Sequence, residues 1–216
     1  MTRSQVADRR SQETRQRPAT TLAVRKIDLI VIGCSLGGMH ALETILNDLS
    51  GTFPVPIAIV QHRHRASNEG LPSFLRRKTD LKVVDAEDKQ PIAAGTVYLA
   101  PANYHLLVER GELSLSVDDA VAHSRPSIDV LFESAADAYG RALVGVILTG
   151  SNDDGARGAV RIKSRGGFLV AQDPATAEAP RMPEAAIESA RVDRILPLER
   201  IAPFLVELCG VKSAGD

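Results

Sequence analysis

The chain has no tryptophan, two cysteines, five phenylalanines and three tyrosines among 216 residues. So few aromatic rings argue against a stacking platform for bases or sugars. The two cysteines, Cys34 and Cys209, stand far apart and without metal-ligand spacing. Neither a disulfide framework nor a thiolate metal centre is expected, and a reducing cytoplasm is the simplest compartment. No apolar run approaches the roughly 18–20 residues that span a bilayer, and the N-terminus lacks the apolar stretch of a secretory signal. A formal net charge of −1 gives no basic surface for nucleic acid over the chain as a whole. No cofactor, metal, nucleic acid or membrane insertion is expected.

The charge that is present is uneven. Residues 1–26 carry seven Lys/Arg against Asp8 and Glu13, a surplus of five, which leaves the remainder at −6. These residues are rich in Arg, Gln, Ser and Thr without apolar periodicity, and are expected to form a disordered tail. A docking arm for an acidic partner is the rival reading. From residue 27 to about 210 the pattern is that of one regular domain. Ile27–Ile32, Ile57–Val60, Ala142–Leu148 and Gly167–Gln172 are apolar, β-branched runs suited to buried strands. Helical stretches are expected at Met39–Leu49, Glu69–Arg77, Asp129–Tyr139, from the loop after Leu148 through Lys163, and at Pro183–Ser189. A short strand is expected at Lys82–Val84 and others at Gly95–Ala100, Leu106–Val108 and Leu113–Val117, the last two paired antiparallel across Arg110-Gly111. The alternation predicts a doubly wound α/β fold, mainly parallel, with helices on both faces and a small antiparallel hairpin extension.

Ligands in such sheets lie beyond the carboxyl ends of the strands. Three predicted strand ends carry Ser35, His62 and Asp154, the residue types of a nucleophile, a base and an orienting carboxylate. Gly33-Cys34-Ser35-Leu36-Gly37 fits the G-x-S-x-G turn that exposes a serine between strand and helix. The helix that follows aims N–H groups at the same point, which favours an oxyanion. A dinucleotide fingerprint fits poorly, because Ser35 stands at its second glycine and Gln61-His62 replaces the acidic residue expected after the second strand. Other readings stay open on the residues alone. His64 could serve as base in place of His62, though His62 follows the strand directly. Asp154 before Gly155-Ala156 is also a natural helix cap, which leaves Asp153 as a rival carboxylate. Cys34 could be a thiol nucleophile, but nothing near it marks a lowered pKa.

At these residues the chain resembles the catalytic domain of the CheB family, the chemotaxis protein-glutamate methylesterases. The likeness runs from about Ile27 to Phe204 and rests on ordered motifs. They are Ile32–Gly38, Ile59–His62, Gly95–Pro101 with His105-Leu106, Arg125–Phe132, Leu148–Ala156, and Ala171–Asp173 with Met182-Pro183. The resemblance implies a doubly wound fold and hydrolysis of glutamate methyl esters on the cytoplasmic helices of methyl-accepting chemoreceptors. In some members it also implies deamidation of receptor glutamines. It implies Ser35 as nucleophile, His62 as general base and then acid, and Asp154, the aspartate directly before Gly-Ala, as orienting carboxylate.

The Leu36 amide and an N–H from the Ser151 region are the candidate oxyanion donors. The chain departs from the family at Leu36, where a hydroxyl or small residue is frequent, and at Ser151-Asn152, where Met-Gly is commoner. The 26 residues before the first strand are also expected to be too few for the receiver domain that regulates many members. Competing readings are an esterase of the same fold with another substrate and a catalytically silent binding module. Arg63, Arg65, Arg157 and Arg181 fall in or near the strand-end loops. They could meet receptor glutamates, or simply be solvated charges.

Overall fold

A computed structural model describes residues 26–62 and 70–210. Its strands are β1 (Leu29–Cys34), β2 (Ile57–Gln61), β3 (Lys82–Asp85), β4 (Gln90–Pro91), β5 (Thr96–Leu99), β6 (His105–Glu109), β7 (Glu112–Ser116), β8 (Leu143–Ile147), β9 (Phe168–Gln172) and β10 (Arg194–Leu196). Its α-helices are α1 (Gly38–Asn47), α2 (Gly70–Arg76), α3 (Ile128–Tyr139), α4 (Ala156–Ser164), α5 (Arg181–Ser189) and α6 (Leu198–Leu208). Seven strands form one sheet in the order β10-β9-β8-β1-β2-β5-β3, every pair parallel. A second sheet, β4-β7-β6, is antiparallel. The doubly wound expectation holds, hairpin extension included.

The central strands are apolar throughout because helices cover both faces. β1 shows the division residue by residue. Ile30, Ile32 and Cys34 pack with α1, α2 and α6, while Leu29 and Val31 pack with α3, α4 and α5. The alternation is the period-two geometry of a strand. Gly33 continues the second set, and there α3 comes so close that a Cβ would lie 2.3 Å from the Ile128 side chain.

Among the elements that differ from the sequence reading are β1, β10 and α6. β1 begins at Leu29 and runs on to Cys34, since the strand ends only where the glycine turn begins. β10 and α6, close to the C-terminus, were not anticipated. β10 has only three residues and contains an arginine, and Pro203 interrupts the α6 sequence. Yet α6 buries Leu198, Ile201, Ala202, Leu205 and Leu208, a spacing that makes one helical face. This stripe outweighs the proline.

The topology switches between β1 and β8. The helix after β1 lies on one face and the helix after β8 on the other, so their connecting loops diverge and open a crevice at the carboxyl edge. Among the described residues no helix is long and apolar enough to cross a membrane.

Candidate active site

Ser35 follows β1, and its N–H donates to the Thr149 carbonyl at 2.9 Å just beyond β8. On its other side, Cys34 is in register with Gln61, and the His62 N–H donates to the Cys34 carbonyl at 3.0 Å. Ser35 and His62 are therefore lateral neighbours at the ends of adjacent parallel strands, whose spacing is about 4.8 Å. Gly37 lets the chain turn into α1 at once, with φ of +79° and no room for a Cβ against Glu178. No hydrogen bond joins the Ser35 hydroxyl to His62.

Asp154 lies in the loop before α4 with its side chain fully buried, and its Oδ2 lies 2.7 Å from His62 Nε2. The same carboxylate accepts from Ser127 Oγ at 2.9 Å and from the Ile128 and Asp129 amides at 2.8 and 2.9 Å. Those amides form the first turn of α3, so the carboxylate also meets the positive end of that helix. Burial pushes the Asp154 carboxyl up, but the hydrogen bonds from His62 and the two amides prevail and hold it below the ordinary range. An ionised carboxylate only accepts. His62 therefore presents an N–H at Nε2, so that in the neutral ring the lone pair lies on Nδ1.

The expectation that Asp154 could be a local helix cap meets a different arrangement. Asp154 serves α3, while the amides of Gly155 and Gly158 at the start of α4 donate to Asp129 Oδ1 at 3.0 and 2.8 Å. The two aspartates thus cap each other's helices. Asp153, the rival carboxylate, is exposed. His64, Arg63 and Arg65 lie outside the described residues. Arg157 pairs with Asp129 and Glu133, both at 3.3 Å, and Arg181 with Glu188 at 3.3 Å. Both arginines already have partners in the chain.

Cys34 does not have the properties of a nucleophile. Its side chain is buried and bonds to Gln61 Oε1 at 3.0 Å, and burial pushes its pKa far up. The Leu36 and Gly37 amides have no acceptor among the described residues, whereas the Gly38 amide donates back to the Ser35 carbonyl at 2.9 Å. Ser151 is exposed in the loop after β8. Among the described residues no group of three or more His, Cys, Asp or Glu is arranged to hold a metal ion.

Four supporting residues had no individual role in the sequence reading: Gln61, His105, Ser127 and Asp129. Ser127 precedes α3, yet its hydroxyl goes to Asp154 instead of to its own helix. The Ser127 N–H donates to His105 Nδ1 at 3.2 Å, and His105 Nε2 meets the Asp119 carbonyl at 3.1 Å. All four are linked to the carboxylate or the serine, directly or through one another, by contacts between distant segments that local spacing does not reveal. Asp129 carried a signal, as an acidic residue in a first helical turn.

A parallel α/β sheet with a His–Asp pair beside an exposed serine turn is the arrangement of a hydrolase edge. Comparison with known proteins makes the class specific. The model of the family described as CheB methylesterase matches residues 30–205. The chain belongs to the CheB methylesterase family. It is 48% identical over 182 residues to a Leptospira interrogans protein with the provisional name protein-glutamate methylesterase/protein-glutamine glutaminase, covering 84% of this chain and 94% of that one. It is 42% identical over 180 residues to the protein-glutamate methylesterase FrzG of Myxococcus xanthus, covering 83% of this chain but only 54% of the relative. The crystal structure of the Thermotoga maritima CheB methylesterase catalytic domain superposes with a TM-score of 0.80 at 35% identity, covering 84% of this chain and 98% of that domain.

Proposed function

We propose that the chain is a protein-glutamate methylesterase that hydrolyses glutamate methyl esters on the cytoplasmic helices of chemoreceptors, with Ser35, His62 and Asp154 as its triad. The observation that carries this reading is the buried Asp154 carboxylate, gripping His62 Nε2 at 2.7 Å one strand away from Ser35. In the proposed reaction Ser35 Oγ attacks the ester carbonyl while His62 Nδ1 takes the hydroxyl proton. The tetrahedral intermediate collapses as His62 returns that proton to methanol, leaving an acyl-enzyme. Water, deprotonated by His62, then attacks the acyl carbon, and Ser35 leaves with the proton to give glutamate. Asp154 holds the ring and stabilises the imidazolium. The Leu36 amide, with a second N–H from the Ser151 segment, would receive the negative oxygen.

The names of the relatives favour a second activity of the same site, conversion of receptor glutamine to glutamate with ammonia as leaving group. The test is methanol release from methylated chemoreceptor cytoplasmic fragments, wild type beside Ser35→Ala. Release that vanishes in the variant is the expected result. No release from wild type would refute the receptor substrate; a small ester run in parallel would then separate another esterase from a binding module.

A further inference from the structure

One buried amide touches both halves of the proposed catalytic pair. The Gln61 side chain lies under the site, its Nε2 donating to the Ser35 carbonyl at 2.8 Å and to the His62 carbonyl at 3.0 Å. Its Oε1 lies 3.0 Å from Cys34 Sγ. Since a carbonyl only accepts and a thiol can donate, this orientation satisfies the whole carboxamide.

The β1–β2 ladder explains the need for this arrangement. In a parallel pair the rungs recur every second residue. The Ile30 N–H donates to Pro56 O, one residue before its register partner Ile57. The Cys34 carbonyl receives the His62 N–H, one residue after its partner Gln61. The next rung would run from the Leu36 N–H to the His62 carbonyl. The chain instead turns at Ser35–Gly37, and the Leu36 N–H has no acceptor among the described residues. Gln61 Nε2 occupies its place at the His62 carbonyl.

The second bond sets a direction. The Ser35 carbonyl and the Leu36 N–H belong to one peptide group, and in a trans peptide they point opposite ways. Gln61 and the Gly38 amide hold that carbonyl inward, so the N–H faces out of the turn. Gly38 is also what makes room, since a Cβ there would fall 1.9 Å from Gln61 Oε1.

We propose that Gln61 is a positioning residue that replaces the lost Leu36–His62 rung and so frees and aims the Leu36 N–H as an oxyanion donor. The proposal rests on Ser35 being the nucleophile. Both can be read with a fluorophosphonate, which needs no receptor. Ser35 Oγ forms the O–P bond, the P–F bond breaks with loss of fluoride, His62 takes the hydroxyl proton, and the phosphoryl oxygen occupies the oxyanion position.

Gln61→Met removes both donors with similar volume, and Gln61→Glu keeps the shape should the first variant fold poorly. The expected result is a fall of about 10–100-fold in the maximal labelling rate of the folded fraction, with half-saturating concentration close to wild type. A merely structural role would instead reduce labelling only in step with the folded fraction, and that result overturns the proposal. Wild-type labelling in either folded variant, with Ser35→Ala unlabelled, overturns the clamp but leaves the nucleophile standing. Labelling that persists in Ser35→Ala overturns both.

Discussion

Asp154 and Asp129 occupy nearly mirror-image positions. Each is buried, each sits at the start of one helix and accepts two amides from the start of the other. They differ in what fills the remaining acceptor capacity. Asp154 is given a serine hydroxyl and an imidazole N–H. Asp129 is given an arginine whose side chain is 64% exposed. Burial pushes both carboxyls up. At Asp154 the hydrogen bonds prevail and the pKa is lowered. At Asp129 burial, reinforced by the nearby Asp154 and Glu133 charges, outweighs the Gly158 amide and Arg157, and the pKa is raised. One cap has been made into a firm anionic support for a ring, and the other remains a structural joint.

The sharpest way to break this contrast is Asp154→Asn, which should lower ester hydrolysis by about 10,000-fold through loss of the His62 tautomer. Asp129→Asn should instead destabilise the fold by about 1–3 kcal/mol, read by urea unfolding, while turnover of the folded fraction falls by less than about ten-fold. A comparable catalytic loss in both variants would erase the distinction. Ser127→Ala removes one donor to Asp154 Oδ1, and should cost about 1 kcal/mol of stability with a several-fold loss of turnover. Arg157→Ala removes the mostly exposed partner of the buried Asp129, and should change stability by about 1 kcal/mol and leave turnover within two-fold.

The two carboxyls also predict opposite pH slopes. At Asp154 the unfolded chain binds the proton more readily, so its contribution is present above the ordinary value of 3.8 and fades as pH falls through the lower folded value. At Asp129 the folded chain binds the proton more readily, so stability rises as pH falls from the raised folded value towards 3.8. The stability gap between wild type and Asp129→Asn should therefore widen on acidification from about pH 7 to about pH 4. The gap to Asp154→Asn should narrow below that range. Unfolding midpoints across a pH series measure both, and slopes of the same sign would contradict the contrast.

The parallel sheet was legible because its strands are uninterrupted apolar runs, and the edge followed because Ser35 and His62 come within a few residues of such runs and Asp154 in the loop after one. The family motifs chose Asp154 over Asp153; burial and the His62 contact separate them independently. What stayed hidden is the support beneath. Asp154 before Gly-Ala reads locally as a cap for α4, and only tertiary structure shows it capping α3 while Asp129 serves α4. Gln61 likewise reads as the polar end of a strand, and its place in the ladder appears only once the register of β1 and β2 is known. At the other end, β10 and α6 escaped because three residues carry little pattern and a proline masks a good stripe.

The exposed Arg110-Gly111 turn divides the polypeptide in a way that cuts through the site. Everything before it supplies Ser35, Gln61 and His62 from a single β-α-β unit. Everything after it supplies Ser127, Asp129 and Asp154. The covalent chain is thus partitioned like a two-key lock: a nick at that turn would leave neither segment with both the imidazole and its carboxylate, and the pair would exist only while the segments remain associated.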